Sequence, residues 1–149
     1  MKKNTFSSIV AVGAGFFTTA VLSLATDVAL HALGVFRPWG QPMSDALFVL
    51  ATMYRVVYTV GGGYLTARLA PERPMRHVIV LGCVGLVAAT IGVLATWNRP
   101  ELGPKWYPIL LVVTALPCVW LGGRMYGSHG GGGSSVSRFP SNRRAHRAL

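Results

Sequence analysis

Four long apolar segments constrain this 149-residue chain more than any other feature of its sequence. They cover about residues 6–26, 46–67, 78–97 and 107–123. Each approaches the roughly 20 residues that an α-helix needs to cross a hydrocarbon core about 30 Å thick. A backbone in lipid must satisfy its own hydrogen bonds, and the alternation of a barrel strand is absent, so the segments predict helices.

The predicted fold is therefore all-α, with four transmembrane helices arranged as two hairpins in one domain over residues 1–126. Only 12% of the residues are charged, against about 25% in soluble domains, which leaves no room for a separate soluble domain. From position 127 to 149 the composition changes to Gly, Ser and Arg. Such a segment buries too little apolar surface to order itself, so it predicts a disordered basic tail.

The distribution of basic residues predicts how the chain is threaded. If the N-terminus is cytoplasmic, the segments on that side hold ten Lys and Arg, and the two loops on the other side hold three. The positive-inside rule then predicts that both termini are cytoplasmic. The net charge of +10 indicates contact with anionic lipid headgroups. Nucleic-acid binding would need aromatic residues interleaved with clustered basic residues, and the sequence has none.

The N-terminal segment also has features of a secretory signal. Lys2 and Lys3 precede an apolar run that ends in Ser23-Leu24-Ala25, which matches a small-x-small cleavage site. The run of about 20 residues exceeds the 7–15 of a signal, and its helical character continues to Leu33. We therefore favour an uncleaved first helix.

A shift of 62 positions aligns the two halves of the chain with seven identities across positions 37–64. Arg37-Pro38 falls on Arg99-Pro100, for example, and Tyr64 falls on Tyr126. In the predicted topology this would be a parallel repeat about an axis along the membrane normal. Convergence of two loops with similar composition explains the identities equally well, and both interpretations stay open.

Arg55 is the candidate functional residue, because it lies within the second apolar segment. An ionisable group at that depth must face the bundle interior, pair, or extend to the interface. Asp27 and His31 are four residues apart on one face of the first helix, so Asp27 is the candidate partner of Arg55. Tyr58 shares the face of Arg55, whereas Tyr54 is expected to point away. The alternative is an unpaired Arg55 that extends alone to the interface.

Small residues mark the candidate helix-packing positions. Small residues spaced by four let helix backbones approach closely, which drives helix association in lipid. The triple glycine predicts close packing or a local kink, although a hinge or an unwound, cavity-lining segment is the alternative. The predicted packing positions are Ala11, Gly15, Gly61, Gly62, Gly63, Gly85, Ala89 and Gly92.

Aromatic residues cluster in the loops after the first and third segments. Trp39, Trp97, Trp106 and Tyr107 are suited to the headgroup level and predict an interfacial aromatic belt. An aromatic-rimmed mouth for a ligand is the alternative.

Residue patterns typical of enzymes are missing from the sequence. The chain has four acids and four scattered histidines, with no HExxH, no GxSxG and no phosphate-binding loop. We therefore expect no enzyme activity, no metal and no cofactor. Cys83 and Cys118 have no CxxC spacing and are expected to be free thiols within helices.

Several stretches resemble small uncharacterised bacterial four-helix membrane proteins: Trp39-Gly-Gln-Pro-Met-Ser-Asp-Ala-Leu, Tyr54-Arg-Val-Val-Tyr, Gly62-Gly-Tyr-Leu-Thr-Ala-Arg-Leu-Ala-Pro71 and Trp106-Tyr-Pro. The resemblance covers about residues 1–126 and implies the four-helix topology in a bacterial inner membrane, without an activity. The expected function is structural or accessory, through helix association with a second copy or a larger membrane complex. The alternative is a small oligomeric transporter or channel with a polar site at Arg55.

Overall fold

A computed structural model describes residues 2–38, 40–99 and 103–130, and it contains four α-helices. They are α1 (Lys2–Ala32), α2 (Asp45–Leu69), α3 (Pro74–Thr96) and α4 (Trp106–Gly130). Each is long and apolar enough to cross a membrane, by length and composition. The predicted all-α fold with four transmembrane helices is confirmed.

The two hairpins pack side by side. Helix α1 packs along α2, α3 packs along α4, and the most extensive contact joins α2 to α4. The α1–α2 and α3–α4 connections lie at one end of the bundle, called here the loop end. The chain N-terminus, the α2–α3 turn and the end of α4 lie at the opposite, termini end. Many large apolar side chains remain exposed, as expected of helices that face lipid.

Two of the helices extend beyond the predicted apolar segments. Helix α1 continues to Ala32, past the apolar segment that ends near position 26 and in line with the helical character expected to Leu33, and α4 continues to Gly130, past the apolar segment that ends near position 123. Residues 127–130, predicted to belong to the tail, are therefore helical. Hydropathy identifies only the apolar part of a helix. A helix that has formed can continue into polar residues, because each further residue adds one backbone hydrogen bond. The rest of the predicted tail, 131–149, lies outside the described residues.

Glycines bring the helix backbones together on the termini side of Arg55. A methyl group at Gly62 of α2 would lie 2.8 Å from the Gly15 carbonyl oxygen of α1. A methyl group at Gly63 would lie 2.8 Å from the Cα atom of Val119 in α4. Helix α2 stays continuous through its triple glycine, of which Gly62 and Gly63 serve close packing, and the unwound segment is not observed.

The other predicted packing positions fall into two groups, those that pack within the chain and those that do not. Ala11 is fully buried and packs as expected. A methyl group placed at Gly61, Gly85 or Gly92 would have no described atom within 4 Å apart from its own stretch of helix, so these glycines do not pack within the chain, and packing against another chain stays a prediction. Ala89, instead of filling a helix contact, lines open space between the helices. Helices that are apolar on all sides do not reveal which face turns inward, so spacing alone could not separate the two groups.

Three glycines within the helices make close contacts that were not predicted. They are Gly82, Gly122 and Gly123, at the contacts of α4 with α2 and α3. A methyl group at Gly122 would lie 2.7 Å from the Tyr64 nitrogen, and one at Gly123 would lie 2.8 Å from Val78 Cγ2. The termini half of the bundle is therefore closely packed, and the open space lies nearer the loop end.

Candidate functional site

Arg55 pairs with Asp27 between α2 and α1. The Arg55 Nη2 atom donates to Asp27 Oδ2, and the side chains of the two residues are 30% and 15% exposed. The pair is thus largely withdrawn from solvent, as an ionisable group at membrane depth must be. The predicted partner of Arg55 is observed, and the unpaired alternative is not.

Tyr54 completes this cluster, which corrects the expectation that it points away. The Tyr54 hydroxyl donates to Asp27 Oδ1, so each carboxylate oxygen accepts a hydrogen bond from α2. Tyr54 and Tyr58 are four residues apart and form one stripe facing α1, while Arg55 reaches Asp27 from beside that stripe. The four-residue spacing was the available signal for Tyr54.

The other two predicted site residues lie beside the ion pair. His31 Nδ1 donates to the backbone carbonyl of Asp27 at 2.7 Å. The Tyr58 hydroxyl forms a hydrogen bond of 2.9 Å with Thr26 Oγ1, and its ring lies 5.8 Å from that of Tyr54. The Tyr58–Thr26 bond joins α2 to α1 next to the ion pair, whereas the His31 bond lies within α1. The acidic group that meets Arg55 is Asp27 alone among the described residues.

Two cavities meet at Arg55. The loop-end cavity, of about 770 Å³, lies between α2, α3, α4 and the α3–α4 connection. The central cavity, of about 410 Å³, is lined by all four helices and by Asp27. Arg55 lines both cavities, together with Ala89 of α3 and Leu111 of α4. Arg55 therefore lies at the boundary between two open volumes.

The loop-end cavity combines cationic and aromatic side chains. Arg99 and Lys105 lie at its mouth, and Arg55 lies at its inner end. Among the described residues, Asp45 is the acidic residue of its lining. The Lys105 Nζ atom lies 5.0 Å from the centre of the Trp97 ring. Sequence reasoning assigned none of these loop cations to a site, because each alone is typical of an interfacial anchor.

The predicted interfacial aromatics have more than one role. Trp97 and Tyr107 line the loop-end cavity, and Tyr107 is close enough to Arg55 to interact with it electrostatically. Phe48 is buried against the rings of Trp106 and Tyr107, at 6.5 Å and 5.1 Å between ring centres. Trp39 lies outside the described residues. The aromatic belt and the aromatic-rimmed mouth for a ligand both stay predictions, while the presence of Trp97 and Tyr107 in the cavity lining is observed.

The central cavity has a sparse set of polar groups. Thr19 and Thr59 line it, but their hydroxyls donate to backbone carbonyls, Thr19 to Gly15 at 3.0 Å and Thr59 to Arg55 at 2.7 Å. Asp27 and Arg55 are the charged residues of its lining. Within the described ranges no group of three or more His, Cys, Asp and Glu residues lies together as metal ligands do.

Comparisons with protein-family models, with curated proteins and with solved structures return no match for this chain. The resemblance to bacterial four-helix membrane proteins therefore stays a prediction. The features of the described residues that bear on function are the cluster at Arg55 and the two cavities that it separates.

Proposed function

We propose that this protein is a small transporter or channel, and that solutes pass it at Arg55. The observation that carries the proposal is the position of Arg55, which lines both cavities while its guanidinium is paired with Asp27. A helical membrane protein that served packing alone would fill its interior with side chains, because close packing drives helix association in lipid. Two adjoining cavities at an intramembrane charge are typical of a solute pathway.

In this proposal the Asp27–Arg55 ion pair closes the pathway between the two cavities. Asp27 holds Arg55 across the boundary of the two cavities, so motion of either side chain would join them. The guanidinium has five N–H donors, and a solute that accepts hydrogen bonds can replace Asp27 as its partner. The closely packed glycines on the termini side of Arg55 give the helices a rigid support about which the loop half can open.

Arg55→Leu tests the proposal in vesicles reconstituted with the purified full chain. Swelling rates would be compared over a panel of small neutral, cationic and anionic solutes. We expect the wild type to admit at least one solute faster than protein-free vesicles do, and Arg55→Leu to abolish that flux while the protein remains folded. If wild-type, Arg55→Leu and protein-free vesicles are equally permeable to every solute, the transport proposal is wrong.

Two tyrosines of α2 provide a matched pair of variants. Tyr54→Phe removes the hydroxyl that donates to Asp27, and Tyr58→Phe removes the hydroxyl that pairs with Thr26 one turn away. Both changes delete one oxygen from the same helix face. Tyr54→Phe should alter the flux, because Asp27 then has fewer bonds that hold it on Arg55, and Tyr58→Phe should not. Equal effects would contradict a special role for the ion pair.

A second candidate function is that of a non-enzymatic accessory protein, associated with a second copy or with a larger membrane complex. It is favoured by Gly61, which lies exposed on α2 with no described atom within 4 Å of a methyl group at its Cα. A small residue there would let another helix approach closely. Mass spectrometry after a mild-detergent pull-down tests this function: a stoichiometric membrane complex supports association with a larger complex, a lone homodimer contradicts that form and leaves association with a second copy, and a lone monomer contradicts both.

The membrane setting follows the charge distribution. We propose that the loop end faces away from the cytoplasm of a bacterial inner membrane and that the basic termini end contacts anionic lipid headgroups. Arg68, Arg73, Arg76 and Arg124 belong to the termini end and support this orientation.

A further inference from the structure

The loop-end cavity has a charge distribution that the sequence did not single out. Arg99 and Lys105 are both exposed at its mouth, and neither forms an ion pair with a described residue. With Arg55, the lining of the cavity contains three cationic side chains. Two carboxylates oppose them: Asp45, which belongs to the lining, and Asp27, which pairs with Arg55. Among the described residues, the cavity therefore carries more positive than negative charge, and the excess lies at its mouth. Glu101, in the same loop, lies outside the described residues.

Arg55 supplies the second part of the argument. Its Nε atom is buried and has no hydrogen-bond acceptor among the described residues. A buried donor without an acceptor is costly, and an oxygen in the cavity can reach this atom only if the Arg55 side chain turns toward it; the hydrogen bond formed then would offset that cost. Guanidinium groups also match the paired oxygens of carboxylate and phosphate better than any other side chain does.

The walls between the mouth and Arg55 are apolar and aromatic. Trp97 and Tyr107 line the cavity with Phe48. A volume of about 770 Å³ falls within the range of about 300–1,000 Å³ typical of small-molecule sites. An inorganic ion would leave most of this surface uncovered, whereas an organic anion would cover it.

We propose that the loop-end cavity binds an organic anion, with its carboxylate or phosphate head on the basic residues and its apolar body against the aromatic rings. Both a soluble solute and the head of an anionic lipid have this chemistry. If the ligand is soluble, it is the class of solute that this protein transports, and that assignment rests on the proposed function. Binding itself does not rest on it and is tested separately.

The test measures benzoate binding to the full chain in zwitterionic phosphatidylcholine nanodiscs, by equilibrium dialysis. We compare wild type with the double variant Arg99→Gln/Lys105→Gln. Both residues are exposed in a loop, so the variant should fold normally. Arg124→Gln is the matched control, since its guanidinium lies 5.1 Å from the Trp120 ring at the termini end, as Lys105 lies over Trp97.

The expected result is saturable binding to wild type and to Arg124→Gln, and binding about tenfold weaker in the double variant, from two partly exposed charge contacts. Phenyl phosphate should compete with benzoate. No saturable binding of either anion to wild type would overturn the proposal. Equal binding by wild type and the double variant would overturn it as well.

Anionic lipid distinguishes the two sources of the ligand. If a lipid head occupies the cavity, phosphatidylglycerol in the nanodiscs should weaken benzoate binding to wild type and should have less effect on the double variant. If the ligand is soluble, the lipid should leave wild-type binding unchanged apart from general charge repulsion, which Arg124→Gln reports. Either result supports an anion site.

The vesicle experiment separates failure of this inference from failure of the proposed function. Anion binding without any flux that depends on Arg55 would contradict transport and keep the anion site. Flux that depends on Arg55, without benzoate or phenyl phosphate binding, would keep transport and overturn the anion as its substrate class.

Discussion

The interaction of Asp27 with Arg55 can be measured as a coupling free energy. The perturbations are Asp27→Asn, Arg55→Gln and the double variant, which remove the charges; Asn has the size of Asp, and Gln keeps the polar, unbranched start of the Arg side chain. Exposed ion pairs contribute about 0–1 kcal/mol, whereas breaking a buried pair costs about 3–5 kcal/mol. The two side chains are 15% and 30% exposed, so we place each single variant between these limits, at about 2–3 kcal/mol.

The double variant should cost less than the sum of the two singles. After Asp27→Asn, most of the cost is the unpaired Arg55 charge, and Arg55→Gln removes that charge. We therefore expect about 3 kcal/mol for the double variant, against about 5 for the sum, which is a coupling of about 2 kcal/mol.

The assay is equilibrium unfolding of the purified chain in mixed micelles of mild detergent and sodium dodecyl sulfate, followed by circular dichroism. Tyr58→Phe combined with Asp27→Asn is the control cycle, because the Tyr58 hydroxyl pairs with Thr26. We expect that cycle to be additive. Additivity within about 0.5 kcal/mol for Asp27→Asn with Arg55→Gln would refute the ion pair as an energetic unit.

Three further predictions concern packing, topology and the thiols. Gly62→Ala should destabilise the protein by about 1–3 kcal/mol, since its methyl group would press on the α1 backbone, whereas Gly61→Ala should be neutral or stabilising; equal effects in the same unfolding assay would contradict the packing. Reporter tags at the two termini should both show cytoplasmic activity, and an external tag would reverse the proposed orientation. Cys83 and Cys118 are both free, so reducing and non-reducing gels should give the same monomer mobility, and a faster non-reduced band would contradict this.

Part of the candidate site was predictable from local sequence. An arginine within an apolar segment needs a partner, and Asp27 is an acid at a compatible height on the preceding helix, so the pair could be named from spacing alone. Tyr54 was missed because adjacent helix residues point about 100° apart, and the reasoning started from Arg55 instead of from the face that meets α1. The loop-end cations were missed because residues far apart in sequence form the cavity.

The sequence by itself determined the helical class, the number of spans and the need of Arg55 for a partner. These follow from hydropathy and from the hydrogen-bonding demand of a backbone in lipid, which act along the chain. Only the tertiary structure decided which glycines pack, where the cavities open and which side chains line them. The reason is that each helix is apolar on nearly all sides, so no polar face records its rotation about its own axis, and that rotation is set by contacts with its neighbours.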